Sequence, residues 1–240
     1  MTFEDLVNLW DKYKKRYGSD AYKYISELFA EAKEIHRKDF SKNPTPMGDH
    51  GQSWRPFKGK NLEKLIVHII KDEVENIGLK TVNGNELEKT KSENLSKELS
   101  IVKRNVLIDY GEFGAHFPDL DIIIYEPNTC KVIAGVSSKV TLRERIAQTG
   151  YWKIKLSRDD ATKHIMMLFI TLDEDGDLTL RMPTKKGRAI VEVDTDGSYV
   201  MSKAQVEESP KVKMFDKFMD DLSALANKNR ENRQDGKEKS

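Results

Sequence analysis

The chain has 240 residues, of which 34% are charged, and its formal net charge at pH 7 is +1. A charge so close to neutral argues against a protein that coats nucleic acid indiscriminately. No apolar stretch approaches the length of a membrane-spanning helix, so we expect a soluble intracellular protein.

The first part of the chain is predicted to be helical. Apolar residues recur at helical spacing over residues 3–16 and again over residues 20–38. These apolar faces are compatible with core packing and with a dimer surface. A stretch rich in proline and glycine over residues 42–57 predicts a loop, which leads into a helix from Asn61 to Ile77.

Two apolar runs in the middle of the chain predict a β-hairpin. Ile122–Tyr125 and Val132–Val136 are separated by a turn-rich tetrapeptide, and neither run alternates cleanly with polar residues. We therefore expect both faces of these strands to be covered, as in the middle of an α/β domain.

Charged and polar side chains stand at the ends of this hairpin. Because strand side chains repeat every two residues, Asp119 shares a face with Asp121, and Ser137 shares one with Lys139. Charges at the ends of apolar strands are costly unless they pair with each other or with a metal. Carboxylates suit Mg²⁺, and the lysine would orient an attacking water or stabilise charge on a phosphate. An ordinary acidic turn and a solvated lysine are the alternative.

A basic cluster follows the hairpin. Arg143 and Arg145 can each form two hydrogen bonds with a guanine, and Glu144 between them can accept one from a cytosine. All three reach bases only if a helix enters the major groove by its N-terminal end. Thr141 is a candidate N-cap whose capping box Glu144 would complete. If Glu144 serves only to cap the helix, Arg143 and Arg145 are expected to bind phosphates instead of bases. Gln148, one turn later, either adds a contact or is simply exposed.

Two further groups of cations could neutralise phosphates. Lys153 belongs to a basic segment over residues 143–163, whose position near the hairpin favours phosphate contact. Lys185, Lys186 and Arg188 form a second group in a predicted loop, where phosphate contact and simple solvation are both open.

The last third of the chain is predicted to hold three strands and one helix. Ile165–Leu172, Leu178–Met182 and Ala189–Val193 have the composition of strands. An apolar stripe over Val212–Ala226 predicts an amphipathic helix, used for core packing or for dimerisation. The tail from residue 227 onward is almost all polar and is expected to be disordered.

The residues at the ends of the hairpin resemble a nuclease signature. Pro118-Asp119-x-Asp121 followed by Ser137-x-Lys139 resembles the PD-(D/E)xK motif. The first half of this pattern is weak by itself. The resemblance implies a nuclease core in which these acidic residues, the serine and the lysine form the catalytic site.

The basic cluster makes the resemblance more specific. Lys139-x-x-x-Arg143-Glu144-Arg145 resembles the extension found in type II restriction endonucleases that cut CCGG-type sites, and within that group the BsaWI and AgeI kind. The resemblance implies an α/β fold with a restriction-endonuclease-like core, in which helices flank a mixed central sheet, and with a helical N-terminal part. It also implies that the Arg-Glu-Arg trio reads bases.

One carboxylate of that group is missing at its usual place. Related enzymes often carry a glutamate on the helix after the lysine, but here the corresponding positions are Trp152 and Lys153. Either Asp119 and Asp121 both serve as metal ligands, or Glu63, which resembles the upstream helical glutamate of many such nucleases, completes the site from a different helix. A solvated position on an amphipathic helix is the alternative for Glu63. Asp121 is favoured as the primary ligand, because it directly precedes the apolar strand.

The resemblance implies a Mg²⁺-dependent type II restriction endonuclease that cleaves double-stranded DNA at a short palindromic CCGG-type site. With this function we expect a homodimer or higher homo-oligomer. We also expect a cognate DNA methyltransferase in the same system, a cytoplasmic location in a prokaryote and no association with a membrane. A structure-selective repair or junction nuclease is one alternative. A catalytically inactive, sequence-specific DNA-binding protein is another.

We expect one nuclease domain over residues 1–226. The domain consists of a helical N-terminal region with its loop (residues 1–56), the catalytic core (residues 57–195) and the C-terminal helix (residues 209–226). A disordered tail over residues 227–240 follows the domain.

Overall fold

The computed structural model describes residues 1–42, 49–142 and 145–238, with only the backbone for Arg145 and for residues 231–238. The N-terminal helical part predicted from the sequence is confirmed. It consists of three helices and one 3-10 segment: α1 (Phe3–Tyr17), the 3-10 turn Gly18–Tyr24, α2 (Ile25–Lys42) and α3 (His50–Asn76).

Helix α3 begins at His50 rather than at Asn61, so the loop prediction is wrong for residues 50–57. The carboxylate of Asp49 caps the helix by accepting from the backbone N–H of Gln52 at 2.8 Å. Pro56 lies inside the helix, and its missing N–H removes one backbone bond. Aromatic packing favours the helix despite this loss, because Trp54 is buried with its ring edge against Phe29. Residues 43–48 lie outside the described part of the chain.

Eight strands form two sheets within the described residues. They are β1 (Lys80–Asn83), β2 (Ile108–Asp109), β3 (Ala115–His116), β4 (Ile122–Glu126), β5 (Lys131–Lys139), β6 (Met166–Thr171), β7 (Gly197–Val200) and β8 (Val212–Met214). The main sheet has the order β1-β4-β5-β6-β7-β8, and β2 pairs with β3 alone. Strands β1, β4 and β5 are antiparallel neighbours, whereas β5 through β8 run parallel.

The predicted hairpin is strands β4 and β5, and helices cover both of its faces. Ile122 and Ile124 pack with the N-terminal helices, while Ile123 and Tyr125 pack in a separate cluster on the opposite face. This alternation explains why neither strand shows polar residues at every second position. The expected α/β fold, a mixed sheet flanked by helices, is confirmed. The remaining helices are α4 (Gly84–Lys89), α5 (Lys97–Arg104), α6 (Arg145–Ser157), α7 (Lys186–Asp194) and α8 (Phe218–Glu238).

The predictions for the last third of the chain are partly wrong. Ile165–Leu172 is confirmed as strand β6, but Leu178–Met182 is irregular and Ala189–Val193 lies in helix α7. Short apolar runs fit strands and helices equally well, and here packing decides. Gly150 lets α6 approach α7 closely, since a Cβ there would lie 2.8 Å from the Cβ of Asp194.

The C-terminal region also differs from its prediction at both ends. Residues 212–214 form strand β8, so the helix begins only at Phe218. Helix α8 continues to Glu238, past the expected end at Ala226. Two contacts hold this extension: Lys131 donates to Asn229 at 3.0 Å, and Arg230 donates to the carbonyl of Ile77 at 2.6 Å. No helix among the described residues is long and apolar enough to cross a membrane.

Candidate active site

Asp121 is held by backbone contacts on two sides at the start of β4. Its N–H donates to the carbonyl of Val136 on β5 at 3.1 Å, and its carbonyl accepts from the N–H of Gly84 at 2.9 Å. A Cβ on residue 84 would lie 1.8 Å from the carbonyl oxygen of Leu120, so this close approach requires glycine. The backbone that carries the Asp121 carboxylate is therefore fixed by both β5 and α4.

The carboxylate of Asp121 is buried and paired. Its Oδ2 accepts from Lys139 Nζ at 2.7 Å and from the backbone N–H of Ser138 at 2.6 Å, with Ser137 Oγ at 3.5 Å. The Asp121 and Lys139 side chains are 4% and 13% exposed, so little water screens the pair. The structure thus brings together three of the residues predicted from the motif, Asp121, Ser137 and Lys139.

Glu63 reaches the same place from helix α3. Asn85 donates to Glu63 Oε2 at 3.2 Å, and the carboxyl of Glu63 lies close enough to that of Asp121 for the two groups to interact electrostatically. Burial raises the pKa of Glu63 to about 7, the negative charge of Asp121 adds to this shift, and Lys139 opposes it. Two carboxylates and one ammonium therefore share a site between α3 and β5.

A cleft opens over these groups. A cavity of about 520 Å³ lies between α3 and the end of β5 and is lined by Glu63, Ser138 and Lys139. A second cavity of about 700 Å³ lies on the other side of Glu63 and reaches Asn85. The charged cluster is therefore accessible to a ligand that approaches across α3.

The donor set of this cluster fits a hard divalent cation. The described residues contain no group of three or more His, Cys, Asp and Glu side chains that could hold a metal. Mg²⁺ commonly binds through one or two carboxylates and keeps several waters, so Asp121 and Glu63 would suffice. Burial raises the pKa of Glu63 most and the charge of Asp121 adds to the shift, and a divalent cation between the two carboxylates would offset both effects.

Asp119 is not bonded to this cluster. It is half-buried, and no hydrogen bond or ion pair among the described residues joins it to Asp121, Lys139 or Glu63. The reason is local, because β4 begins at Ile122 and the chain before it does not follow strand geometry. That Asp119 is a metal ligand stays a prediction.

The predicted DNA-reading residues are only partly visible. Arg143 and Glu144 lie outside the described residues, and so does the side chain of Arg145. The capping prediction is wrong for Thr141, because Leu142 is not helical and α6 begins at Arg145. Base contact by the trio stays a prediction.

The two other predicted DNA contacts lie on α6. Gln148 is exposed, as a contact residue would be. Lys153 pairs with Asp196 at 2.6 Å, so in this structure its ammonium is committed to another part of the protein. DNA binding by either residue stays a prediction.

Sequence reasoning missed two contributors. Ser138 acts through its backbone N–H, which no side-chain pattern can reveal. Asn85 lies in a polar stretch without a motif, and its contact with Glu63 appears only when α4 packs beside α3. In the second basic group the prediction is wrong for Arg188, which is fully buried, whereas Lys185 and Lys186 are exposed.

The fold matches that of a known class of nucleases. The solved structure titled "Crystal structure of specific restriction endonuclease AgeI-DNA complex" superposes on 93% of this chain and 91% of its own, with a TM-score of 0.52 and 17% sequence identity. At this identity the similarity defines the fold alone. The fold is therefore restriction-endonuclease-like.

Sequence comparisons place the chain more narrowly. The model of the family described as BsaWI restriction endonuclease type 2 matches residues 98–221, more than half of the chain. The putative type II restriction enzyme MjaVIP of Methanocaldococcus jannaschii is 36% identical over 200 residues, 81% of this chain and 86% of the relative. The probable type II restriction enzyme HpyAORF263P of Helicobacter pylori is 30% identical over 172 residues, 68% of this chain and 86% of the relative. The chain belongs to the BsaWI family of type II restriction endonucleases.

Proposed function

We propose that this protein is a Mg²⁺-dependent endonuclease that hydrolyses both strands of duplex DNA at a short palindromic CCGG-type site. The observation that carries the proposal is the buried contact of 2.7 Å between Asp121 and Lys139, with Glu63 against the same carboxylate. Membership of a restriction endonuclease family supports it.

Asp121 and Glu63 would hold the metal ion. When bound, Mg²⁺ supplies an activated water and neutralises charge on the phosphate. Glu63 takes the place of the helix glutamate that is absent at Trp152 and Lys153, and Asn85 orients it. Asp119 is the other candidate for this role.

Lys139 stabilises the negative charge that develops on the phosphate oxygens. Its ammonium is held beside Asp121 in a nearly dry site, where electrostatic stabilisation is stronger than in water. Ser137 supports the same carboxylate with a long contact of 3.5 Å, and the N–H of Ser138 fixes its orientation.

Arg143, Glu144 and Arg145 read the C·G pairs of the site. The support is their spacing from Lys139 in the sequence and the start of α6 at the last of the three, Arg145, because the N-terminal end of such a helix would enter the major groove. Gln148 adds a contact from the exposed face of α6, and Lys153 binds a phosphate once it leaves Asp196.

A palindromic site has two-fold symmetry, so a homodimer that supplies one active site per strand is the economical assembly. A higher homo-oligomer would satisfy the same symmetry. The protein would act beside a cognate DNA methyltransferase that protects the host's own sites. Sedimentation of the protein with a palindromic duplex would give its stoichiometry, and one protein per duplex would contradict the dimer.

The decisive experiment is cleavage of phage-sized DNA in Mg²⁺, with an EDTA control and sequencing of the ends. Discrete fragments that end at CCGG-type sites support the proposal and give the outer bases of the site. Metal-dependent smearing would favour a structure-selective nuclease instead. No cutting in several divalent metals would favour a binding protein without catalysis. Asp121→Asn, which replaces the buried carboxylate with an amide, is the matched negative control.

A further inference from the structure

Gly59 lies in the interior of α3, and the fold gives no reason for a glycine there. A Cβ on this residue would meet no atom within 4 Å among the residues that the structure describes. Its backbone is helical and does not need the left-handed conformation. A glycine inside a helix destabilises it relative to alanine, and one use of a glycine without a packing reason is to let a ligand approach the backbone closely.

Gly59 stands between the two cavities that flank Glu63. Both cavities are lined by Arg55, Gly59 and Glu63, which are spaced four residues apart along α3. Successive members of this row lie about 6 Å apart along the helix axis. The two cavities therefore form one groove, which crosses α3 at Gly59, because Gly59 is the member of this row that has no side chain.

The groove is lined mainly by cations. The first cavity has three, including Lys139, against the single carboxylate of Glu63. The second has four, including Lys60 and Lys89, against two carboxylates. Positive charge along an open groove is the electrostatic feature that attracts a polyanion.

Arg55 is the one of these cations that lines both cavities. It is exposed and makes no hydrogen bond or ion pair with any residue in the described ranges. In contrast, Lys58 pairs with Glu174 at 2.7 Å, and Lys64 lies over the ring of Phe3. A guanidinium binds phosphate through two parallel hydrogen bonds, so Arg55 suits a phosphodiester oxygen pair.

We propose that this groove seats the sugar-phosphate backbone of the DNA strand that is cut. Arg55 binds a phosphate next to the reacting one, and Gly59 keeps the helix surface low enough for the strand to cross it. The inference rests on the proposed function, because the position of the reacting phosphate is taken from Asp121, Lys139 and Glu63.

The first test is Gly59→Ala, for which the Tm and the affinity for duplex DNA are measured. The Tm should rise and the affinity should fall. Alanine favours the helix, so the Tm should rise by about 1 to 4 °C. The added methyl obstructs the strand, so the affinity for a labelled duplex in EDTA should fall by about tenfold or more. His68→Ala is the matched control, since His68 is an exposed residue half a turn around α3 from Gly59. It should leave DNA affinity unchanged.

The second test is Arg55→Ala, measured as the salt dependence of duplex binding. Loss of one phosphate contact should reduce the slope of log K against log[salt] by about 1. An unchanged slope would overturn the role of Arg55. A lower Tm in Gly59→Ala would overturn the inference as well, because the glycine would then serve the fold.

The two proposals fail in distinguishable ways. A wild-type protein that binds duplex but cuts in no metal contradicts the proposed function, while weaker binding by Gly59→Ala would still support the groove. A wild-type protein that cuts at discrete sites, with both variants matching it in affinity and salt slope, overturns the groove alone.

Discussion

Lys139 is the only cation in direct contact with the buried Asp121 carboxylate among the described residues. Lys139→Ala should reduce cleavage by at least about 100-fold, because charge on the phosphate would lose its main stabilising partner. Binding of cognate duplex in EDTA should stay within a few-fold of wild type. Single-turnover cleavage and a binding titration measure the two effects. Lys12→Ala, at an exposed lysine of α1, is the control and should cut normally. Full activity of Lys139→Ala would contradict the active-site assignment.

Asp121 and Asp119 can be separated by paired substitutions. Asp121→Asn removes the charge that Lys139 and the N–H of Ser138 contact, and we expect cleavage to fall by at least about 100-fold. Asp119 has no such contacts within the described residues, so Asp119→Asn should retain activity within about tenfold. Cleavage rates over a Mg²⁺ titration provide the measurement. Equal loss in both variants would make Asp119 a second metal ligand.

At the residue level, the sequence correctly predicted which side chains share a face of a strand, because strand geometry alone controls this. Alternation along a strand is a local property, so it put Ser137 and Lys139 on one face, and both contact Asp121. Glu63 is distant in sequence, and only the family resemblance pointed to it. Asn85 could not be predicted, because its contact depends on how α4 packs against α3.

At the level of elements, the sequence predicted the hairpin and failed after β6. Strands β4 and β5 have long apolar runs with a clear turn between them, so local signals suffice. Leu178–Met182 has apolar residues at every second position, as a strand would, but is organised by side chains from elsewhere. The carboxylate of Asp173 accepts from the N–H of Leu178 at 3.0 Å, and Arg188 donates to the carbonyl of the same residue. Such contacts replace a strand ladder and leave no pattern in the sequence.

Arg188 is the main cross-link of this irregular region. It is fully buried, and it donates to the carbonyl of Glu207 at 2.7 Å and to the carboxylate of Glu192 at 3.0 Å. Arg188→Met should lower the free energy of unfolding by about 3 kcal/mol, because buried carbonyls lose their partners. Urea unfolding measures this change, with the exposed Lys186→Met on the same helix as control. A loss below about 0.5 kcal/mol, the size of an ordinary surface substitution, would contradict the cross-link.

Asp173 should make stability depend on pH. Burial raises its pKa to about 6 from the ordinary 3.8, with the charges of Asp175 and Asp177 adding to the shift. A raised carboxyl pKa contributes stability that is full below pH 3.8 and is lost as the pH rises through about 6. Asp173→Asn lacks this loss, so between about pH 4 and 7.5 it should gain about 1 to 3 kcal/mol relative to wild type. Parallel stability curves for the two proteins, from urea unfolding across this range, would refute the assignment.

At the scale of the whole molecule, the N-terminal helices and the sheet share one cluster of buried residues. Leu6 of α1 and Phe29 of α2 belong to the same cluster as Val136 of β5 and Phe218 of α8. We therefore predict one cooperative unfolding transition, with coincident midpoints by tryptophan fluorescence and far-UV circular dichroism. Removal of residues 1–42 should leave a chain that does not refold. Two separate transitions would show that the helices form an independent unit.

The carboxylates of the active-site cluster come from distant parts of the chain. Asp121 and Lys139 belong to one hairpin and can meet early in folding, since the contact spans only 18 positions. Glu63 joins them only when α3 has docked on the sheet and α4 has brought Asn85 beside it. A nascent or partly unfolded chain therefore has Lys139 and Asp121 in contact, but it lacks the second carboxylate, that of Glu63, beside them. Under the proposed function, only completely folded molecules would cleave the chromosome of the cell that makes them.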